Sequence, residues 1–371
     1  MRTFTLLLAA ALLVPFAAAQ KINDVIQKKD GARVRGLEIT EFLLTGVRGK
    51  RGSDPFEIPA HQVLAVEWSN LPEGFVAGRA AMERGDFRSA TQLFGDVQSD
   101  RPLVKADAEF WKIKAAVAAI GADKAAAATA AQHAKAWLSA NANHWRTPEA
   151  LLLTGRAERL AGTGGAAATT LRDLDDRATR EGFGAIWSAR AKSELALTLL
   201  ADGKASEART TFQAASSSAD NALQTPSADE SELRALKTQA RVGEGETFLG
   251  DKDFDKAASF FRNLVSSNQP DLVAAGHAGE GESIFLAAVA NNRLDDLRKA
   301  QVALALASVM DGQSGEASAK ANYYLGRCML LLGQEREGDT YKARANAYFQ
   351  IVVSNYPTSR WAATAKLEQT K

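Results

Sequence analysis

The sequence of 371 residues contains a single cysteine and only four histidines. One cysteine excludes an internal disulfide framework and a cysteine-based zinc cage, and the histidines do not form the close pairs of a His-rich metal site. The GxxxxGK[ST], HExxH, CxxC and GxSxG motifs are also missing. We therefore predict no bound metal, no cofactor, no catalytic residues and no enzymatic activity.

The chain also lacks an excess of charge of either sign. It has 45 Lys and Arg against 44 Asp and Glu, a formal charge of +1. Because a general nucleic-acid binder carries a basic surplus, we expect no nucleic-acid partner. Uninterrupted apolar runs of about 18 residues are absent as well, so no transmembrane segment is predicted.

Residues 1–19 have the pattern of a signal peptide. Arg2 provides a short positive region, residues 6–16 form a short apolar core, and three alanines at 17–19 precede Gln20 at the expected cleavage point. The core is shorter than the ~20 residues that cross a bilayer, although a retained N-terminal anchor is the alternative. Because no cysteine lies at the cleavage site, we exclude a lipoprotein. The expected destination is the periplasm of a bacterium, with secretion also open.

Residues 20–70 differ from the rest of the chain and predict a small antiparallel β module of the SH3-like type. Turn sequences such as KKDG at 28–31 and RGKRG at 48–52 separate short β-type runs. The five predicted strands are 24–27, 32–39, 42–47, 56–58 and 63–68. The pattern resembles N-terminal β modules that precede helical repeats in bacterial exported proteins. Since so small a module is marginal alone, we expect it to dock on the helices that follow.

Arg48, Lys50 and Arg51 are predicted to form the basic tip of a hairpin in this module. Two interpretations stay open, a solvated turn and a contact with an anionic polymer of the cell envelope.

From residue 71 onward, small and large apolar residues recur at fixed spacing. In the clearest unit Gly78 is followed twelve residues later by Ala90, then by Phe94, and the unit closes at Pro102. A small residue lets two helices approach, and the large side chain four residues after the alanine fills the groove between them. This frame resembles the tetratricopeptide repeat (TPR) family, which implies an α-solenoid of stacked helical hairpins.

Five more copies of the frame follow, the last two with 19 residues in place of 12, which predicts lengthened helices. They are Gly155/Ala167/Leu171, Ala196/Ala208/Phe212, Gly245/Ala257/Phe261, Gly281/Ala300/Leu304 and Gly326/Ala345/Phe349. A degenerate unit fills residues 103–147, and the Tyr356-Pro357 junction resembles that of periplasmic and outer-membrane TPR-type proteins. We predict a mainly α domain of about seven hairpins over 71–371, with a polar loop near 216–231. The 72 alanines fit this array and also the alternative, an irregular helical bundle.

In the TPR family the first helix of each hairpin lines a concave groove that commonly binds extended peptides. The resemblance implies that the groove of this chain is lined by Phe75, Arg79, Leu152, Arg156, Arg159, Arg190, Val242, Glu246, Tyr323 and Arg327. Arginine is frequent among these positions, which suits an acidic or carboxylate-bearing segment. The alternative is that the arginines are solvated or paired with neighbouring glutamates.

Other conspicuous residues are interpreted as packing. The GEGE segments at 243–246 and 279–282 are assigned to the small-residue positions of successive first helices rather than to a carboxylate cluster. Core packing is also predicted for Cys328 and for Trp111, Trp137, Trp145, Trp187 and Trp361.

The sequence thus predicts a non-enzymatic periplasmic scaffold that binds partner proteins or peptides in cell-envelope assembly or export. One alternative is a polysaccharide- or peptidoglycan-binding protein that uses the β module, and another is a hydrolase with an unrecognised site.

Overall fold

The computed structural model describes residues 22–224, 229–310, 315–334, 338–357 and 359–369. The predicted signal peptide at 1–19 lies outside the described residues.

The N-terminal module is a five-stranded antiparallel sheet, as predicted. Its strands are β1 Asp24–Lys28, β2 Arg33–Phe42, β3 Gly46–Arg51, β4 Asp54–Pro59 and β5 Val63–Glu67, with a 3-10 turn at Ala60–Gln62 before β5. The strand order is β4-β3-β2-β1-β5, so that the last strand returns to pair with the first, as in a small SH3-like barrel. Ile26, Leu37 and Val47 are fully buried and form the centre of its core.

The third strand lies four residues later in the sequence than predicted. A tight turn at residues 43–46 is closed by hydrogen bonds between the backbone groups of Leu43 and Gly46. This turn shifts the strand toward the C-terminus, so Arg48 and Lys50 lie within β3 and Arg51 is its last residue. Arg48 is therefore on the paired strand, while Lys50 and Arg51 are the last strand residues before the two-residue turn at 52–53.

Fifteen α-helices make up the rest of the described chain. They are α1 Glu73–Glu83, α2 Phe87–Gly95, α3 Pro102–Ala119, α4 Lys124–Ala140, α5 Thr147–Leu160, α6 Gly164–Arg180, α7 Ala185–Ala201, α8 Ala205–Leu223, α9 Glu230–Gly250, α10 Phe254–Val265, α11 Pro270–Ala290, α12 Leu297–Val309, α13 Glu316–Gly333, α14 Gly338–Asn355 and α15 Arg360–Gln369. Helices α1 to α14 pair as seven successive hairpins, and α15 packs against α13 and α14. The chain is a TPR-like α-solenoid.

The repeat frame corresponds to direct contacts between the paired helices. A Cβ placed on Gly78 would lie less than 3.0 Å from the Phe94 ring, because the two helices already touch there. A Cβ on the glycine would likewise lie less than 3.0 Å from the large side chain in the pairs Gly155/Leu171, Gly245/Phe261, Gly281/Leu304 and Gly326/Phe349. The unit that begins at Ala196 keeps the other two residues of the frame in the core. Its alanine, Ala208, is fully buried, and its large residue, Phe212, is 2% exposed.

The GEGE segments also join one repeat to the next. In each segment the second glycine meets the large side chain of its own hairpin, and the first glycine meets that of the preceding hairpin. Thus Gly243 lies against Phe212, and Gly279 lies against Phe261. This confirms the packing interpretation of these glycines.

The polar segment at 216–231 differs from its prediction. Helix α8 continues to Leu223 and α9 begins at Glu230, and residues 225–228 lie outside the described residues. Ser216 and Ala219 are buried on the face that packs against neighbouring helices. Tertiary burial of one side of α8 therefore outweighs the weak helix propensity of its serines.

The β module docks on the helical array, as predicted. The Trp68 indole Nε1 donates a hydrogen bond of 2.9 Å to Asp107 of α3, and the Arg146 Nε donates one of 3.0 Å to the same carboxylate. Further along, Lys29 forms a 2.8 Å ion pair with Asp229, which immediately precedes α9. The module therefore extends along one edge of the solenoid, from its first repeats to its fifth.

Candidate functional site: the concave face of the solenoid

The odd-numbered helices form the inner layer of the solenoid. From α3 onward each odd-numbered helix contacts the next odd-numbered one, while the even-numbered helices pack outside them. In a stacked hairpin array the layer with the closer helix spacing lines the concave face. The predicted groove residues lie on these inner helices.

Basic and aromatic side chains alternate across the N-terminal half of this face. The Arg79 guanidinium of α1 lies 5.7 Å from the centroid of the Trp111 ring on α3. On the same helix the Lys114 Nζ lies 5.1 Å from that centroid, and it donates a 2.7 Å hydrogen bond to Glu149 of α5. These contacts combine hydrophobic area with cation–π attraction.

The pattern continues on α7. The Arg190 guanidinium stacks 4.1 Å from the Trp187 ring centroid, and its Nε donates a 2.7 Å hydrogen bond to Glu232 of α9. We define the basic–aromatic strip as Arg79, Trp111, Lys114, Trp187 and Arg190.

Positive charge in and beside this strip controls the ionisation of Glu149. Burial by itself would raise the pKa of this carboxyl, but the nearby Lys114 and Arg146 outweigh burial and hold the pKa below its usual value. Glu149 is therefore an anion that the strip already neutralises.

Arg156 and Arg159 of α5 both pair with Glu194 of α7, at 3.1 and 2.7 Å. Burial would raise the Glu194 pKa, yet the two arginines lower it. This is the pairing that the alternative interpretation of the groove arginines anticipated.

The N-terminal half of the concave face nevertheless keeps a basic surplus. Among the strip and groove residues described above and their direct partners, five basic side chains (Arg79, Lys114, Arg156, Arg159 and Arg190) face three carboxylates (Glu149, Glu194 and Glu232), which leaves two positive charges. Among the residues that the structure describes, no carboxylate pairs with Arg79. An incoming anion would meet this side chain without displacing an internal partner.

The C-terminal half of the face contains an ion network that joins α9, α11, α13 and α15. Lys320 of α13 contacts Glu282 of α11 at 2.7 Å and Glu246 of α9 at 3.0 Å. Arg360 of α15 also pairs with Glu246. Burial would raise the Glu246 pKa, but Lys320 and Arg360 lower it to about 2. The two cations and two anions balance.

The terminal helix α15 occupies this half of the groove. The Trp361 ring centroid lies 5.2 Å from that of Tyr323 and 5.5 Å from that of Tyr324, both on α13. Arg327 approaches Glu368 of α15 at 3.6 Å. A cavity of about 470 Å³ remains beside Glu246 and Trp361, but its charged groups are already paired, Glu246 with Arg360 and Glu282 with Lys320.

The structure separates the predicted groove residues into three groups. Phe75 and Tyr323 are buried in the core, where Phe75 packs on Phe94, and Leu152 and Val242 are partly buried against neighbouring helices. Glu246 and Arg327 belong to the charged contacts with α15. The exposed or half-exposed basic positions are Arg79, Arg156, Arg159 and Arg190. Their role in binding a partner stays a prediction.

Several side chains of the concave face were not predicted as groove residues. Trp111 and Trp187 were interpreted as core, and the structure leaves both partly exposed beneath cations. Their signal was the basic residue three positions later, Lys114 and Arg190, which shares a helix face with the tryptophan. Lys320 and Arg360 do not follow a tryptophan at this spacing, so the sequence did not indicate them.

The basic residues of β3 lie away from this face. Arg48 donates a 2.8 Å hydrogen bond to Glu57 on the adjacent strand, while Lys50 and Arg51 are exposed. A polymer contact at these three residues stays a prediction.

The remaining sequence interpretations concern packing and metal binding. Cys328 is fully buried, which confirms its predicted place in the core, and burial raises the pKa of its thiol to about 12. Trp137 and Trp145 are buried as predicted. Within the described ranges, no three His, Cys, Asp or Glu side chains converge on a possible metal site, and no helix is long and apolar enough to cross a membrane.

No protein-family model matches the sequence, and no curated protein is detectably similar to it. Solved structures are similar at low identity. The Rap protein complexed with competence and sporulation factor is 12% identical, with 80% of this chain and 75% of that chain covered and a TM-score of 0.44.

Two further structures give comparable values. The C-terminal part of a TPR repeat-containing protein from Cytophaga hutchinsonii is 12% identical, with 78% of this chain and 98% of that chain covered and a TM-score of 0.39. The apo form of the quorum sensor NprR from B. thuringiensis is 9% identical, with 79% of each chain covered and a TM-score of 0.43.

Proposed function

We propose that this protein is a non-enzymatic scaffold of the bacterial periplasm that binds acidic segments of partner proteins on the N-terminal half of its concave face. The observation that carries the proposal is Arg79, stacked on Trp111 in a region with two surplus positive charges and without a carboxylate partner in the part of the chain that the structure describes.

The geometry of the strip suits an extended acidic segment. Its basic groups lie on the inner helices α1, α3 and α7, and on α5 between them Glu149 is already paired with Lys114, so a chain crossing these helices meets a cation on three of the four. The two partly exposed tryptophans supply apolar area between the charges. Arginine offers paired donors to a carboxylate, and the rings beneath the cations restrict their rotamers before binding.

The C-terminal half of the face is a poorer candidate for the same partner. Its cations Lys320 and Arg360 are already paired with the carboxylates of Glu246 and Glu282, and Lys320 is itself buried. Binding an anion there would leave Glu246 and Glu282 buried without counter-charges, which is costly.

The proposal is tested with two labelled peptides of equal length, one of Glu and Ser and one of Lys and Ser, by fluorescence anisotropy. We expect the Glu peptide to bind and the Lys peptide not to bind, with affinity that falls as salt is added. Arg79→Ala should weaken binding about tenfold, the equivalent of about 1.4 kcal/mol.

Arg180→Ala is the matched control, because this arginine is 66% exposed on the outer helix α6 and pairs only locally with Glu181. It should bind the Glu peptide as the unaltered protein does. Equal binding of both peptides, or an unchanged affinity of Arg79→Ala, would contradict the proposed site.

The periplasmic location rests on the signal-like segment at residues 1–19 alone. Fractionation of cells that express the full chain should recover it with the periplasmic contents, with Gln20 as its first residue. Recovery from the cytoplasm with Met1 intact would contradict the location and leave the binding site untouched.

A further inference from the structure

A second possible binding site lies between the β module and the helical array. A cavity of about 650 Å³ is bounded on one side by residues 29–30 and 61–62 of the module. On the other side it is bounded by residues 182–186 between α6 and α7, and by the adjoining ends of α8 and α9. Its volume falls in the range of about 300–1,000 Å³ that is typical of ligand sites, which often lie between domains.

The floor of this cavity is apolar. Phe183, Ile186 and Leu233 contribute to its lining, with 2–6% of each residue exposed, and Ala185 and Ala222 line it beside them. The backbone beside them has positive φ at Gly182 (+70°) and Gly184 (+104°), and a Cβ at either glycine would meet open space. The chain therefore turns here without placing a side chain in the cavity.

The rim is polar but carries no net charge. Lys29 and Asp229 pair at 2.8 Å, and Asp30 lies 3.8 Å from Lys28 just outside. The other polar side chains are His61, Gln62 and Asn221, which offer hydrogen-bond donors and acceptors. A ligand with a formal charge would find no unpaired counter-charge at this rim.

We propose that this cavity binds an uncharged, extended peptide segment that inserts one large apolar side chain. The apolar floor takes the side chain, and the amide groups of Gln62 and Asn221 match the hydrogen-bonding groups of a peptide backbone on either side of it. The cavity shares no lining residue with the basic–aromatic strip and differs from it in the chemistry of its ligand, since charge balance at the rim favours a neutral segment.

The test is methyl NMR of the full chain, with Ile and Leu methyl groups labelled, titrated with the capped tripeptides Ac-Ser-Phe-Ser-NH2 and Ac-Ser-Ala-Ser-NH2. We expect saturable shifts of the Ile186 and Leu233 methyls with the Phe peptide, at a Kd of about 1 mM or below. The Ala peptide should give no saturable shift. Absence of saturation with the Phe peptide would overturn the proposal.

Ala222→Trp fills the cavity from α8 and should weaken binding at least about tenfold. Ala136→Trp, on the exposed face of α4, is the matched control and should bind normally. If Ala222→Trp does not fold, Gln62→Trp narrows the cavity from the module side, where the Gln62 side chain has no hydrogen-bond partner among the described residues. Unchanged binding in a folded cavity-filling variant would overturn the proposal.

Two further measurements separate this site from the strip. Binding of the Phe peptide should be insensitive to added salt and to Arg79→Ala, because neither the ligand nor the rim carries net charge. A loss of Phe-peptide binding in Arg79→Ala would place the ligand on the concave face and refute the cavity as its site.

Discussion

At the scale of single residues, the packing of this solenoid depends on positions where no Cβ fits. Phe261 is fully buried between Gly245, on the first helix of its own hairpin, and Gly279, on the first helix of the next one. Because glycines confine the ring on both sides, the ring has no free direction in which to move. Contacts between glycine and phenylalanine therefore fix the distance between helices both within a hairpin and between successive hairpins.

We expect Gly279→Ala to destabilise the protein by about 1–3 kcal/mol. The new methyl group would clash with the confined Phe261 ring, and this cost is larger than the stability gained from the higher helix propensity of alanine. The measurement is the free energy of unfolding by urea. Gly165→Ala is the matched control, since this helical glycine has no neighbour within 4 Å of a built Cβ, and it should gain about 0.5–1 kcal/mol. A stabilised Gly279→Ala variant would contradict the confinement of Phe261.

At the scale of elements, the ion network joins four helices that are far apart in sequence. Lys320 of α13 is 6% exposed and is the only described cation that contacts both Glu282 of α11 and Glu246 of α9. Arg360 reaches Glu246 from α15 across 114 residues of sequence. The network thereby fixes α15 in the groove at the C-terminal end of the solenoid.

Lys320→Met should destabilise the protein by about 3–5 kcal/mol, because Glu282 stays buried without a counter-charge and Glu246 keeps only Arg360. The double variant Lys320→Met/Glu282→Gln should recover part of this loss in a double-mutant cycle. Lys256→Met is the control, since that ammonium is 71% exposed, and its effect should stay within about 0.5 kcal/mol. If the changes in the free energy of unfolding caused by the Lys320 and Glu282 substitutions simply add, the two side chains are not energetically coupled.

At the scale of the whole molecule, the β module is part of the folded solenoid rather than an appended domain. Asp24 of β1 is fully buried and accepts hydrogen bonds from Arg101 and Ser69. His144, which precedes α5, packs 4.4 Å from the Phe42 ring of β2, measured between centroids. The contacts between module and array are thus both charged and aromatic.

The interface with the module should weaken in acid through His144. Burial, assisted by Arg146, lowers the His144 pKa well below its usual value of 6.5, and the Nδ1 atom accepts a hydrogen bond from the Arg146 backbone. Because the folded state disfavours the protonated ring, its contribution to stability is complete above pH 6.5. That contribution is lost as the pH falls below this value, by at most about 1.4 kcal/mol per pH unit.

The measurement compares the free energies of unfolding between pH 7 and pH 5. His144→Asn should be less stable at pH 7 but should show a smaller loss on acidification than the unaltered protein. His133→Asn, at an exposed position on α4, should leave the pH dependence unchanged. If the free energy of unfolding of His144→Asn depends on pH as that of the unaltered protein does, this histidine is not the source of the pH dependence.

Prediction from sequence succeeded where the decisive contacts join residues close in the chain. Gly78 and Phe94 are brought together by one helical hairpin, so their spacing is visible in the sequence. It failed for β3, where a turn at residues 43–46 competed with the stronger turn signal at 48–52. It also failed at residues 216–223, where serines suggested a loop but burial of one face keeps α8 helical.

By itself, the sequence determined the element types, the hairpin repeat and the small residues that permit helix contact, because these depend on periodicities within about 20 residues. Only the tertiary structure decided which charges meet. The pairs Glu246–Arg360 and Lys29–Asp229 span 114 and 200 residues, and both depend on the accumulated curvature of several hairpins. For the same reason only the structure shows that the C-terminal half of the concave face is occupied by α15 while Arg79 lacks an internal carboxylate partner among the described residues.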